Sequence, residues 1–97
     1  MITIREMQFD DLEQVMEIER QNFSVPWTEN GFFSFLMRND TLFLVAEENE
    51  KILGYIGIMM VLDEGEITNV SVAEDARRRG VGRLLVQTML DKMRTAG

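Results

Sequence analysis

Four of the ten basic residues in this chain, Arg77, Arg78, Arg79 and Arg83, fall between positions 77 and 83, and Gly80 and Gly82 lie among them. An apolar pattern of helical period follows, with Val81, Leu84, Leu85, Met89 and Met93 on one side, and predicts a helix from Gly80 or Val81 to about Arg94. Main-chain N–H groups at a helix start lack intrahelical acceptors and point outward, and the helix dipole adds positive character there. Glycine has no Cβ, so an anion can come close to the backbone. With guanidinium groups around it, the pattern predicts a cradle for a pyrophosphate. Each charge-assisted hydrogen bond in such a cradle contributes roughly 1.5–3 kcal/mol. Arginine runs are commonly just solvated loops, and glycines are common turn residues. The offset of Gly80 and Gly82 ahead of an apolar helix is what favours phosphate binding. Two better-known phosphate motifs do not match. No Gly-Lys-Ser/Thr ends the loop, and Leu85 stands where a dinucleotide fingerprint has its third glycine.

The rest of the composition narrows the chemistry. The chain has 97 residues, which is one domain's worth and enough for a core. Hydrophobic residues make up 45% and charged residues 28%, a globular mixture that argues against wholesale disorder. There is no cysteine and no histidine. That removes a thiol nucleophile, a disulfide framework, the commonest general base and the commonest zinc ligand, so no metal site is expected. The formal charge of −7 weighs against a nucleic-acid partner. Charge is uneven: residues 1–50 hold 11 acidic and 3 basic side chains, and residues 51–97 hold 6 and 7. The acids of the first half read as solvated faces that would also attract a basic protein tail. No apolar run is long enough for a membrane span. Met1 leads into Ile-Thr-Ile-Arg with no basic-then-apolar leader, and the expected location is cytoplasmic.

The elements that must position the arginine loop can be read in order. Met1 to Met7 reads as a short strand, with Ile2 and Ile4 alternating with polar neighbours. Asp10 opens a helix, with Glu13 at capping-box spacing. Leu12, Val15, Met16 and Ile18 form its inner stripe, and Glu13, Glu17 and Arg20 face outward. Asn22 to Thr28 is a loop, because Pro26 disfavours helix at Val25. Thr28 caps a second helix, Glu29 to Arg38, whose Phe32, Phe33 and Phe35 are mainly core. Thr41 to Glu47 is apolar on both faces and reads as an interior strand. After the polar turn Glu48 to Lys51 comes a strand from Ile52 to Val61, with Gly54 and Gly57 marking bulges or close approaches and Tyr55 in the core. Asp63-Glu64-Gly65 is the next turn, and Glu66 to Val72 the next strand. Connections of hairpin length make these three strands an antiparallel meander.

The segment Arg77-Arg78-Arg79-Gly80-Val81-Gly82 resembles the Gln/Arg-x-x-Gly-x-Gly/Ala signature of the GNAT family of N-acetyltransferases. Asn69-Val70-Ser71-Val72 is similar to the family's pantetheine-binding strand, and the order of elements matches across essentially the whole chain. Phe23 to Thr28 with Glu66 to Val70 most resembles the branch that acetylates the N-terminal alanine of ribosomal proteins. The resemblance implies an α+β fold with α/β/α layering. Its mixed sheet would run strand, helix, helix, three-strand meander, helix, with the family's last strands to follow. It makes residues 1–97 the N-terminal and acetyl-CoA-binding portion of a single domain, and acetyl-CoA the cosubstrate. In this reading Arg77, Arg78, Arg79, Gly80, Val81, Gly82 and Arg83 hold the pyrophosphate, and Val70, Ser71 and Val72 hold the pantetheine arm. An amide near Val70 polarises the thioester, and Phe23, Pro26 and Trp27 wall the acceptor pocket. Trp27 and Phe23 read equally as packing anchors.

In this family the amine attacks the thioester directly, so missing cysteine and histidine are no obstacle. An N-terminal amine has a pKa of about 7.7–8.0, against about 10.4 for lysine, and needs only modest base assistance. Glu66 is the carboxylate best placed to give it, although a turn-flanking surface role is the commoner fate of such a residue. The family's other catalytic residues are expected beyond Gly97, so the resemblance implies a 97-residue fragment with little or no activity alone. It also implies an open edge on the strand Glu66–Val72, through which copies could associate. A small-molecule amine acetyltransferase and a non-catalytic CoA-binding module are the alternatives.

Overall fold

The computed structural model describes residues 1–61 and 64–96. Strand β1 (Thr3–Glu6) leads through a 3₁₀ turn (Phe9–Asp11) into helix α1 (Leu12–Asn22) and then α2 (Glu29–Leu36). Strands β2 (Thr41–Glu48), β3 (Lys51–Val61) and β4 (Glu64–Val72) follow, then a second 3₁₀ turn (Glu74–Ala76) and helix α3 (Val81–Ala96). The four strands form one sheet in the order β1-β2-β3-β4, and every neighbouring pair is antiparallel. The expected meander is therefore present, and the sheet is antiparallel throughout the described residues. Because side chains alternate across a strand, Tyr55 reaches α1 on one face. Gly54 meets Leu85 of α3 on the other. This is the expected α/β/α layering.

Two buried clusters follow from that arrangement. Val15, Phe32, Phe43, Val45 and Tyr55 fill the α1/α2 face, while Leu44, Ala46, Ile56, Leu85 and Met89 fill the α3 face. Val81, Leu85 and Met89 recur every fourth residue and so share one stripe. Leu84 flanks that stripe and is exposed, contrary to its expected place in it. Phe33 is likewise outside the core: Phe32, Phe35 and Leu36 take the inner side of α2, and Phe33 turns out to stack on Phe9.

Several element ends differ from the sequence expectation for local reasons. β1 is shorter than Met1–Met7, although the Met7 N–H still donates to Phe43 O at 2.9 Å. The helix is not capped by Asp10 with Glu13. Asp11 accepts the Gln8 N–H at 2.7 Å, and α1 begins at Leu12 and runs through Asn22. Asp11 also takes both terminal nitrogens of Arg5 at 2.8 Å. Burial raises the Asp11 carboxyl, but the Arg5 and Gln8 hydrogen bonds outweigh it and hold it below the usual range. Asp11 and Glu19 are thus buried and paired, not solvated like most acids of the first half. α2 stops at Leu36 because the Arg38 N–H and the Thr41 hydroxyl both bond Phe35 O. Thr28 caps α2 as expected, accepting the Gly31 N–H at 3.0 Å. Of the expected turn Asp63-Glu64-Gly65, Glu64 and Gly65 belong to β4, and Asp63 lies outside the described residues.

The β2–β3 hairpin has a two-residue turn, with Asn49 at φ 53° and Glu50 at φ 67°. Two consecutive left-handed residues suit the right-handed strand twist, and glycine is favoured in the second position. A Cβ in that region costs about 1–2 kcal/mol, offset in part by the greater freedom of glycine in the unfolded chain. Glu50→Gly is therefore expected to stabilise the fold by up to about 1 kcal/mol. A urea titration checks this, and a lower midpoint would contradict it.

Candidate functional site

The site is built where β4 leads into α3. Arg78 (φ 70°) and Gly80 (φ 77°) both lie in the left-handed region and coil the chain ahead of the helix. A Cβ on Gly80 would meet no atom within 4 Å, so the glycine there answers to backbone conformation, not crowding. The first helical bond runs from the Leu84 N–H to Gly80 O at 3.0 Å. The N–H groups of Val81, Gly82 and Arg83 precede it and face outward at the positive end of the helix. A Cβ on Gly82 would sit 3.6 Å from Val72 Cγ2, so the helix start lies directly beside the end of β4.

The arginines divide. Arg77 donates from Nη2 to Asn22 Oδ1 at the end of α1. Arg79 turns the other way and pairs with Glu48 at 2.9 Å, and this contact, chiefly its hydrogen bond, holds the Glu48 carboxyl below its usual range. Among the described residues no carboxylate lies within ion-pair distance of Arg78 or Arg83. Arg79, expected in the cradle, is in this arrangement paired with Glu48.

β4 presents its main chain beside this cradle. The Ala73 N–H donates to Leu53 O at 2.7 Å, and Ser71 is paired with Tyr55, so their main-chain groups face β3. By the alternation of an antiparallel ladder, the N–H and C=O groups of Val70 and Val72 face the free edge. Val72 O already accepts Asn22 Nδ2 at 2.9 Å, and the same amide nitrogen reaches the Ser71 hydroxyl. The Ser71 side chain is therefore buried toward α1.

A bulge shifts the register between Gly57 and Ile58, so Gly57 pairs with Asn69 while Ile58 pairs with Ile67. One extra β4 residue, Thr68, is accommodated, and Glu66 comes to share the α1/α2 face with Asn69. Without the bulge these two side chains would point to opposite faces. Gly57 marks the irregularity as expected, and its missing Cβ leaves room for the Asn69 carboxamide. The Asn69 oxygen accepts the Thr68 hydroxyl at 2.8 Å, while its buried Nδ2 finds no partner among the described residues.

The segment after Asn22 is tied down by α1. Glu19, only 2% exposed, accepts the Trp27 N–H at 2.9 Å and the Tyr55 hydroxyl. Burial first, and then Glu19, push the Tyr55 hydroxyl well above its ordinary range. Trp27 packs against Phe32 at 5.0 Å and Phe35 at 4.9 Å, so its role here is packing. Phe23 is exposed and Pro26 half-buried. Asn22 and Glu19 were not singled out by the sequence. Nothing local marks either, because their partners lie far along the chain.

A family model described as "Acetyltransferase (GNAT) family" matches residues 12–97. A ribosomal protein bS18-alanine N-acetyltransferase of Salmonella typhimurium is 31% identical over the whole chain, and its Escherichia coli counterpart 30%. The chain spans 65% of the length of each of these relatives. The crystal structure of the Escherichia coli ribosomal-protein-S18-alanine N-acetyltransferase superposes with a TM-score of 0.91 at 30% identity, over 100% of this chain and 62% of that one. An N-acetyltransferase from Thermoplasma acidophilum, solved with coenzyme A, shares the fold with a TM-score of 0.90 at 19% identity. The chain belongs to the GNAT acetyltransferase family.

Proposed function

We propose that residues 1–97 are the N-terminal and acetyl-CoA-binding portion of a single acetyltransferase domain. The whole protein then moves an acetyl group from acetyl-CoA to the N-terminal α-amine of a ribosomal protein in the cytoplasm. The observation that carries this reading is one continuous strip of donors and acceptors. It comprises the outward N–H groups at the start of α3, the coil at Arg78 and Gly80, and the free main-chain edge of Val70 and Val72 beside Gly82. A diphosphate fits the first part. An amide-bearing arm can extend the sheet along the second, as an added strand would. The relatives that act on ribosomal protein bS18 support the choice of acceptor.

Arg78 and Arg83, with the main chain of Val81 and Gly82, hold the diphosphate, and Arg77 anchors the loop through Asn22. Val70 and the Val72 N–H align the arm, with the Val72 carbonyl already taken by Asn22. Phe23 and Pro26 border the acceptor, and Trp27 holds that border in place by packing. The amine nitrogen bonds to the thioester carbon, the carbon–sulfur bond breaks, and the sulfur leaves with the electron pair. The proton shed by the amine passes to Glu66, which the bulge has turned to the acceptor side. The unpaired edge of β4 is also where copies of this chain would pair if nothing else covers it.

The test offers the full-length protein, with acetyl-CoA, short peptides beginning with alanine alongside a panel of small amines. Preference for the peptides is expected. Strong preference for small amines would overturn the acceptor assignment, and tight coenzyme A binding without transfer would overturn the activity. Glu66→Gln is expected to slow peptide acetylation more below the amine pKa of about 8 than above it, because a protonated amine must lose one proton before attack and a second after it, whereas a neutral amine sheds only one. A uniform loss across pH would assign Glu66 a structural role.

A further inference from the structure

Phe9 and Phe33 stack with ring centroids 5.0 Å apart and planes inclined by 27°. Both stay wet, 50% and 46% exposed, and Met37, one turn beyond Phe33, is 59% exposed. Beside Phe9 a cleft of about 220 Å³ opens between the end of β1 and the start of β2. It reaches down to Leu36, Leu42 and Phe43. The patch lies on the β1 side of the sheet, at the opposite edge from β4 and its cradle. No step of the chemistry above uses it.

The unpaired charges around the patch are of one sign. Glu6 lines the cleft, Asp10 adjoins Phe9, and Glu29 lies one helical turn before Phe33. Among the described residues none of these three carboxylates forms an ion pair. The region's two arginines are already engaged, Arg5 by Asp11 and Glu47, and Arg38 by Asp40. A purely apolar partner would cover these carboxylates without pairing them, which is costly. A partner with guanidinium or ammonium groups pairs them and can lay cations on the phenylalanine faces. An apolar side chain from the same segment fits the cleft.

We propose that the Phe9–Phe33 stack and its rim of Glu6, Asp10 and Glu29 dock a basic segment of the protein acceptor, downstream of the amine that is acetylated. This rests on the acceptor assigned above. A protein that packs on ribosomal RNA carries the required basic excess. The surface lets the enzyme recognise a folded or extended acceptor beyond its first residues, and distinguishes that protein from a free peptide with the same start.

Two variants of the full-length protein test this, Phe9→Ser with Phe33→Ser, and Glu6→Lys with Asp10→Lys. Each is assayed with the full-length ribosomal acceptor and with a short peptide of its N-terminus. KM for the full acceptor is expected to rise roughly five- to tenfold in both variants, and the peptide rate to stay unchanged, which also shows that the variants fold. High salt should raise the wild-type KM for the full acceptor and have little effect on the charge-reversed variant. Equal effects on peptide and protein, or none on either, would overturn the proposal. So would a wild-type dimer that the phenylalanine variant disperses, because the occupant would then be a second copy. Direct binding of the full-length acceptor, measured without acetyl-CoA, reads the docking even if the peptide is not acetylated. A docking result and a failed activity therefore remain distinguishable.

Discussion

Arg78→Glu combined with Arg83→Glu is expected to weaken coenzyme A binding by a hundredfold or more while leaving the melting midpoint within a degree or two. Each charge-assisted hydrogen bond to a phosphate is worth roughly 1.5–3 kcal/mol. Losing two amounts to a factor of about 10² to 10⁴, before any repulsion from the new carboxylates. The fold should not notice. Both arginines are exposed and neither is held by a carboxylate among the described residues. A glutamate at position 83, in the first turn of α3, also suits the helix dipole. Arg79→Glu is the internal control. Its guanidinium is turned to Glu48, so it should cost clearly less binding than the pair. Calorimetric titration with coenzyme A reads all three proteins. If Arg79 matters as much as Arg78 and Arg83 together, the division of labour among the arginines is wrong. If the double variant binds normally, the cradle is elsewhere.

Gly57→Ala is expected to be the most damaging single methyl in the chain. Its Cβ would lie 2.1 Å from Phe43 Cε1, 2.6 Å from Cδ1 and 2.8 Å from Asn69 Oδ1. Phe43 cannot simply move away, because it is buried and packed against Phe32 at 5.9 Å and Phe35 at 6.5 Å. Overpacking of this kind costs about 1–3 kcal/mol, and here the upper end is expected because the ring is hemmed in. For a domain of this size that lowers the melting midpoint by roughly 4–8 °C per kcal/mol. The same substitution at Gly82 is the contrast. There the new Cβ meets only Val72 Cγ2 at an ordinary 3.6 Å, in a helix that prefers alanine. Gly82→Ala should therefore melt no lower than the parent and bind coenzyme A about as well, because the Gly/Ala signature already admits alanine at this position and the methyl meets only Val72. Thermal denaturation of both variants separates the two kinds of glycine. Equal melting points would refute the crowding argument at Gly57.

The main features of the site were legible because they are written locally. The Arg77–Arg83 run sits ahead of a helix whose apolar stripe is plain, and the meander is announced by three strand-like runs joined by hairpin-length turns. The bulge beside Gly57 could be suspected from a glycine inside a strand. What could not be read was which side chain goes where. Arg77 and Arg79 carry the same group two positions apart, yet one meets Asn22 and the other Glu48. Their partners lie 55 and 31 residues away. The Ser71 side chain is a buried partner of Asn22, which nothing in its own neighbourhood announces. Phe33 and Leu84 fit the apolar stripes by spacing and are nonetheless exposed.

Taken by itself, the order of residues determined the elements, their antiparallel succession and the cluster of arginines and free N–H groups at the turn before α3. Those depend on periodicity, turn chemistry and free N–H groups, which are properties of neighbours in the chain. Only the tertiary structure decided that α1 closes over β4 through Asn22. The same holds for Glu19, buried between Tyr55 and Trp27, and for Glu66, which one extra β4 residue turns to the α1/α2 face. Those depend on which distant groups meet once both faces of the sheet are covered. A buried polar atom must then find its partner wherever the packing happens to bring one.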